Sequence, residues 1–140
     1  MKKEKSAMAI VFYKNNILIT EELIYGVYKI SLPKGHIEEN ETYVDCAIRE
    51  CFEETNCQLS KSDVRCELDS YVIRFMNHEG IEIEKTIYPV VFKVLYQPIL
   101  KIKEERIHRV EFIDINQFLE IASYDNVRDI VQKAKEVISI

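Results

Sequence analysis

The chain has 140 residues, of which 47% are apolar and 31% charged, a balance that excludes disordered and fibrous proteins and predicts one folded domain over residues 1–140. Its 19 Lys and Arg against 24 Asp and Glu give a net charge of −5, which argues against binding to duplex nucleic acid. No apolar run of about 18 residues and no signal-peptide pattern occurs, so we expect no membrane association and a cytoplasmic monomer or homodimer.

The first third of the chain is predicted to form short strands. Apolar and β-branched residues predict a strand over 7–13, and Asn15-Asn16 predict a two-residue turn because Asn tolerates positive φ. A return strand is expected over 17–20 and a further extended segment over 27–32. Lys34-Gly35-His36 is predicted to form a turn.

A helix is predicted over residues 40–55. Asn40 is a favourable N-cap residue, and Asn56 stands where a left-handed residue commonly ends a helix. At 100° per residue, one face of this helix is apolar and includes Val44, Ala47, Ile48, Cys51, Phe52 and Thr55.

The rest of the chain alternates strands and helices. The predicted elements are a strand over 64–75, its hairpin partner over 81–95, a charged loop over 101–109, a strand over 110–113, a short helix capped by Asp114 and a last helix opened by Ser123 or Asp125. Pro89 suggests that the 81–95 strand is an edge strand or carries a bulge. Strands interrupted by a helix, with further helices at the end, favour a mixed α/β or α+β sandwich.

Three carboxylates lie on the face of the 40–55 helix opposite its apolar residues. Glu50, Glu53 and Glu54 occupy one sector in the last two turns, where they repel each other and the negative end of the helix dipole. A hard divalent cation such as Mg²⁺ reverses this unfavourable balance, because it prefers oxygen ligands. From these three residues alone, an ordinary solvated acidic face remains the alternative.

The spacing around these carboxylates carries more information. Gly35 is followed after five residues by Glu41, and after seven more by Arg49 and the three glutamates. The stretch from Gly35 to Cys57 resembles the signature of the Nudix family, in which Gly, Glu, Arg-Glu and Glu-Glu stand at these intervals. Three positions depart conservatively from that signature, namely Cys51, Asn56 and Cys57.

The resemblance implies a Nudix-type α/β/α sandwich with a mixed β-sheet. It also implies that Glu50, Glu53 and Glu54 bind Mg²⁺ or Mn²⁺, with the Gly35 carbonyl as a further ligand. The implied reaction is metal-dependent hydrolysis of a pyrophosphate linkage in a small phosphorylated nucleotide, because bound metal neutralises phosphate charge and activates water.

The resemblance gives the remaining charged residues supporting roles. Arg49 is expected to orient the glutamates through charge-assisted hydrogen bonds, with Glu41 as a structural partner. A further acid from a distant loop often joins such sites; between Glu104 and Glu105 we favour Glu105. Glu53 and Glu105 are the candidate general bases.

Two stretches, residues 32–38 and 124–128, are similar to those of Nudix enzymes that cleave diadenosine polyphosphates. The favoured reaction therefore converts diadenosine tetraphosphate to ATP and AMP. Members with this activity often carry a Tyr downstream of the signature, where this chain has Phe75. Alternatives are a nucleoside triphosphate pyrophosphatase, an RNA 5′ pyrophosphohydrolase and a non-catalytic nucleotide sensor.

Five residues are candidates for substrate binding. Lys34 and His36 flank Gly35 and could approach phosphate, whereas Phe75, Tyr88 and Tyr124 could stack on adenine. The alternative for the lysine is a solvated loop position, and for the aromatic residues it is core packing.

Overall fold

A computed structural model describes residues 1–138. In this part of the chain the strands are β1 (Lys2–Tyr13), β2 (Asn16–Ile24), β3 (Val27–Ser31), β4 (Lys34–His36), β5 (Val64–Glu67), β6 (Tyr71–Met76), β7 (Glu82–Val94) and β8 (Ile107–Asp114). The α-helices are α1 (Tyr43–Thr55), α2 (Ile115–Ile121) and α3 (Asp125–Ile138). Within residues 1–138, none of the helices combines the length and the apolar character needed to cross a bilayer.

The sheet is mixed and is organised around β1. This strand runs parallel to β7 along its whole length, and β7 pairs on its other side with β5 and β6 in antiparallel fashion. On the edge away from β7, β1 pairs with β4 at residues 6–8 and with β2 only at residues 12–13. Strand β2 then continues between β3 and β8.

The side chains of β1 alternate between two apolar cores. Met8 and Phe12 face the core that includes α2 and α3, whereas Ala7 and Ala9 face the core formed with α1. The small alanine side chains allow α1 to lie close to the sheet. Helices therefore cover both faces, which confirms the predicted α/β/α sandwich.

The predicted helix begins later than expected. Thr42, and not Asn40, is the N-cap, with its hydroxyl accepting the Asp45 N–H at 3.0 Å. Asn40 instead has φ of +65° in the preceding turn. The other end agrees with the prediction, because Asn56 adopts φ of +67° and donates its N–H to the Phe52 carbonyl.

Several strand boundaries also differ from the predictions. The first hairpin turns at Lys14 and Asn15, since residue 13 pairs with residue 16, and residues 34–36 form a strand rather than a turn. The expected 64–75 strand is two strands, β5 and β6, with a break between them.

Pro89 lies in the interior strand β7, so of the two predicted alternatives the edge strand was wrong. An irregularity is present nearby, because the register of β5 against β7 shifts between Val64 and Cys66. Its carbonyl accepts the Leu68 N–H at 3.0 Å at the break between β5 and β6. A backbone N–H at residue 89 would point to the same side as this carbonyl. Because the strands β5 and β6 are interrupted there, the sheet does not need the hydrogen bond that proline cannot donate.

The C-terminal helices begin as the sequence indicates. The Asp114 carboxylate accepts the N–H groups of Asn116 and Gln117 at the start of α2. Of the two candidates for the start of α3, Asp125 is the first helical residue, while the Ser123 hydroxyl accepts the Ile30 N–H at 2.8 Å.

Candidate active site

Strand β4 and helix α1 bring Gly35 against Glu50. Gly35 pairs with Ala7 and shares its α1-facing side of the sheet, and a Cβ added to Gly35 would overlap the whole Glu50 carboxylate. The Cys46 thiol donates to the Gly35 and His36 carbonyls at 3.5 Å and ties the strand to the helix. Only glycine at this position lets the Glu50 carboxylate lie directly on the strand.

Arg49 binds the carboxylates on both sides of it. It donates to both oxygens of Glu41 at 2.7 and 2.9 Å, to Glu50 at 2.7 Å and to Glu53 at 3.3 Å. A further bond of 2.9 Å to the His36 carbonyl fixes the guanidinium to β4. These hydrogen bonds lower the pKa of Glu41 to about 2, so this carboxylate is ionised at neutral pH.

Glu54 is a buried acid with one cationic partner. Its side chain is 1% exposed, and burial raises its pKa to about 8, although Arg106 Nη2 donates to it at 3.0 Å. The same guanidinium contacts Glu22 of β2 and lies 2.8 Å from Glu104 of the β7–β8 loop. Glu54 therefore lies among charged groups from two other parts of the chain, β2 and the β7–β8 loop.

The residues around Arg106 extend the site beyond what the sequence suggested. Arg106 and Glu22 were not among the predicted site residues, and Glu104 was the less favoured of the two loop acids. The pairing of β2 with β8 brings Glu22 and Arg106 together. Glu105, the favoured loop acid, is exposed and makes no ion pair with any residue among 1–138. Its neighbour Glu104 is half-buried and turned toward the site.

The donor set suits a hard divalent cation. All of the acidic side chains offer oxygen atoms as metal ligands. Burial raises the pKa of both Glu50 and Glu54 because it disfavours their ionised forms, and a bound cation would stabilise those forms. Within residues 1–138 no three such groups stand ready in coordinating geometry. Arg49 and Arg106 instead hold the carboxylate oxygens.

A cleft of about 530 Å³ lies on the other face of the sheet. Lys34 pairs with Met8 and shares its side, opposite to that of Gly35, and it lines this cleft with Tyr71, Phe75 and Tyr124. Lys34 Nζ lies 6.0 Å from the centre of the Tyr124 ring. Burial, followed by the charge of nearby Lys85, lowers the pKa of Lys34.

A smaller cavity of about 70 Å³ adjoins the cleft and reaches Glu22, one of the carboxylates that contact Arg106. It is lined by Glu22, Ser31 and Lys34 among others, and it shares Lys34, Ile24 and Tyr124 with the larger cleft. The Ser31 hydroxyl is buried and has no hydrogen-bond partner among the described residues. The aromatic cleft and the acidic cluster are therefore neighbours, with Glu22 lining the adjoining cavity on one side and contacting Arg106 on the other.

The structure brings three of the five predicted substrate-binding residues together. Lys34, Phe75 and Tyr124 line the cleft. Tyr88 lies on the α1 face of β7, where its ring stacks on Tyr43 with a centroid distance of 3.8 Å. His36 faces the start of β1, with Nε2 3.6 Å from Glu4.

Comparison with known structures identifies the fold. The computed model resembles the Ap4A hydrolase binary complex of C. elegans at TM-score 0.70 and 15% identity, covering 97% of this chain and 98% of that one. The NUDIX domain of Shewanella oneidensis NrtR, complexed with ADP ribose, gives TM-score 0.75 and 15% identity, with coverages of 99% and 90%.

A third similar structure is a bifunctional NMN adenylyltransferase/ADP ribose pyrophosphatase from Francisella tularensis, complexed with AMP and a Mn ion. It gives TM-score 0.72 and 23% identity over 96% of this chain and 42% of that one. No curated protein matches the sequence. The family model for the NUDIX domain matches residues 2–134. The chain therefore belongs to the NUDIX family, as a hydrolase of phosphorus-containing anhydrides.

Proposed function

We propose that this Nudix hydrolase cleaves diadenosine polyphosphates and converts diadenosine tetraphosphate to ATP and AMP. The observation that carries the proposal is that a cleft with lysines and aromatic rings adjoins the acidic cluster, through a cavity lined by Glu22 and Lys34. A dinucleotide polyphosphate has the same composition, with a charged chain between stacking bases. The likeness in fold to an Ap4A hydrolase is consistent with this substrate.

We assign the metal to the end of α1. Nudix hydrolases generally need a divalent ion, and Glu50, Glu53 and Glu54 with the Gly35 carbonyl would hold Mg²⁺ or Mn²⁺ here. The ion supplies charge neutralisation at the phosphate and a more acidic water. Arg49 orients Glu50 and Glu53 by the bonds of 2.7 and 3.3 Å described above.

The general base is assigned to an exposed glutamate. Glu53 is the most accessible acid of α1, with a side chain 46% exposed. Its hydrogen bonds from Arg49 are also longer, at 3.3 Å, than the bond of 2.7 Å from Arg49 to Glu50. It can accept a proton from a water that attacks phosphorus. Glu105 of the β7–β8 loop is the alternative base.

We assign substrate binding to the cleft. Lys34 is half-buried and, within residues 1–138, forms no ion pair at contact distance, so its ammonium group can donate to a phosphate oxygen. The buried Ser31 hydroxyl in the adjoining cavity provides a neutral donor. Phe75, 39% exposed, and Tyr124 offer ring faces on which adenine can stack.

Product analysis tests the substrate. The protein is incubated with Mg²⁺ and, separately, with diadenosine tetraphosphate, nucleoside triphosphates, ADP-ribose and triphosphorylated RNA, and products are separated by chromatography. We expect ATP and AMP from diadenosine tetraphosphate at the highest kcat/KM. Faster turnover of ADP-ribose or of a triphosphate contradicts the substrate assignment and leaves the family assignment intact.

A matched pair of variants tests the role of Lys34. Lys34→Met removes the cleft charge at similar volume and should lower kcat/KM by about tenfold or more, because a charge-assisted hydrogen bond to phosphate is lost. Lys133→Met, on the exposed face of α3, is the control. Equal activity of the two variants contradicts the proposed phosphate contact.

A further inference from the structure

The Arg106 guanidinium lies where carboxylates from three elements converge. Glu22 belongs to β2, Glu54 to α1 and Glu104 to the β7–β8 loop, and all three contact this one side chain. When all are ionised, the carboxylates carry three negative charges against the one positive charge of the guanidinium. Arg106 is therefore the cation that holds this cluster together in the described part of the chain.

The two partners of the central ion pair differ in their freedom to move. The Glu54 side chain is 1% exposed and packed inside the helix–sheet interface, whereas the Arg106 side chain is 45% exposed. Arg106 can swing into solvent without disturbing the core, but Glu54 cannot. Any exchange of partners at Glu54 must therefore be made by the departure of Arg106.

Arg49 has a different role, although it also binds carboxylates. Its side chain is 24% exposed, and a bond to the His36 carbonyl anchors it to the backbone of β4. Within residues 1–138 the Arg106 side chain, in contrast, forms its hydrogen bonds and ion pairs with carboxylates. Arg49 is thus a fixed part of the site, and Arg106 is an exchangeable one.

We propose that Arg106 is an internal cation that competes with the divalent metal for Glu54 and thereby sets the metal affinity of the site. The inference rests on the proposed function in one respect, namely that Glu54 is a metal ligand. Arg106 Nη2 donates to the Oε2 oxygen of Glu54, and a divalent ion that takes this same oxygen must displace the guanidinium, because two cations on one oxygen repel each other. In the metal-free protein Arg106 is the ion-pair partner of Glu54, and a bound metal would take its place.

Calorimetric titration with Mn²⁺ and with Mg²⁺, without nucleotide, tests the proposal. Arg106→Gln should bind metal about tenfold more tightly than the wild-type protein, because a competing charge-assisted hydrogen bond has been removed. Arg106→Lys retains the competing charge and should stay close to wild type. Arg109→Gln is the matched control, since Arg109 pairs with Glu21 and Glu111 outside the cluster.

Thermal unfolding in EDTA and in Mn²⁺ gives a second measurement that does not depend on turnover. Without metal, Arg106→Gln should unfold at a lower temperature than wild type, because three carboxylates are left without their cation. Addition of Mn²⁺ should raise its unfolding temperature by more than it raises that of wild type. Arg109→Gln should show the wild-type response to Mn²⁺.

The outcomes separate this inference from the proposed function. If wild type and Arg106→Gln bind metal equally, or if the folded variant binds more weakly, the competition is refuted while the metal site stands. If only Arg106→Gln binds metal, the competition is supported in its strongest form. If neither protein binds metal, both the proposed metal site and the competition are refuted.

Discussion

Replacing Gly35 with alanine tests the contact on which the position of Glu50 depends. A Cβ at this position would overlap the carbon and both oxygens of the Glu50 carboxylate. The Glu50 side chain is mostly buried and is held at 2.7 Å by Arg49, so it cannot yield without breaking that bond. Gly35 does not have a positive φ, so backbone strain does not contribute to the effect.

The size of the effect follows from this overlap. Forcing an extra carbon into a packed site typically costs about 1–3 kcal/mol in the free energy of unfolding. Displacement of a catalytic group by about 1 Å can reduce the rate by roughly a hundredfold. We therefore expect Gly35→Ala to lose about 1–3 kcal/mol of stability and at least a hundredfold in kcat/KM.

A double-mutant cycle isolates the cause. Denaturant unfolding is measured for the wild-type protein, Gly35→Ala, Glu50→Ala and the double variant, with kcat/KM measured for the two proteins that retain Glu50. Because Glu50→Ala removes the overlapping atoms, Gly35→Ala should cost almost nothing in that background. The same loss of stability in both backgrounds would show that Glu50 is not the neighbour that requires glycine, and the reasoning would be refuted.

Three further predictions concern the acids and the cleft. The pKa of Glu54 is raised to about 8 in the folded protein, so the free energy of unfolding in EDTA should fall as pH rises from about 5 to 8, by at most about 1.4 kcal/mol per pH unit. Denaturant unfolding of Glu54→Gln should show a weaker dependence of this free energy on pH. Glu53→Gln should lower kcat by about a hundredfold or more at unchanged stability, and Glu136→Gln on the exposed face of α3 should retain full activity. Tyr124→Leu should raise KM for a dinucleotide about tenfold through loss of stacking, unlike Tyr96→Leu in the exposed β7–β8 loop.

The chemistry of α1 could be predicted because it depends on local spacing. Glu50, Glu53 and Glu54 share a helix face at any helix position, and Asn56 ends the helix through its own tolerance of positive φ. The start of α1 was less predictable, because Asn40 and Thr42 are both good caps. Only the turn that brings Glu41 to Arg49 selects Thr42.

The cationic half of the site could not be predicted from spacing. Arg106 reaches Glu54 across 52 positions and Glu22 across 84, and the contact with Glu22 depends on the register of β2 with β8. Nothing in the charged 101–109 segment distinguishes Arg106 from its basic neighbours. The same applies to Glu104 and Glu105, whose orientations are decided by the local path of the loop.

The path of β1 explains why acids and aromatic residues from opposite faces of the sheet can form one site. On its edge away from β7, β1 pairs with β4 at residues 6–8 and with β2 at residues 12–13, and the two partners diverge between these points. Adjacent residues of β4 then face different layers, with Gly35 toward α1 and Lys34 toward the cleft. A continuous sheet would separate the α1 layer from the cleft. Here β2 and β4 diverge, and the cavity lined by Glu22 of β2 and Lys34 of β4 lies where they do so. In the proposed substrate complex, a phosphate chain at this cavity would have Glu22 and the acidic cluster on one side and the aromatic rings of the cleft on the other.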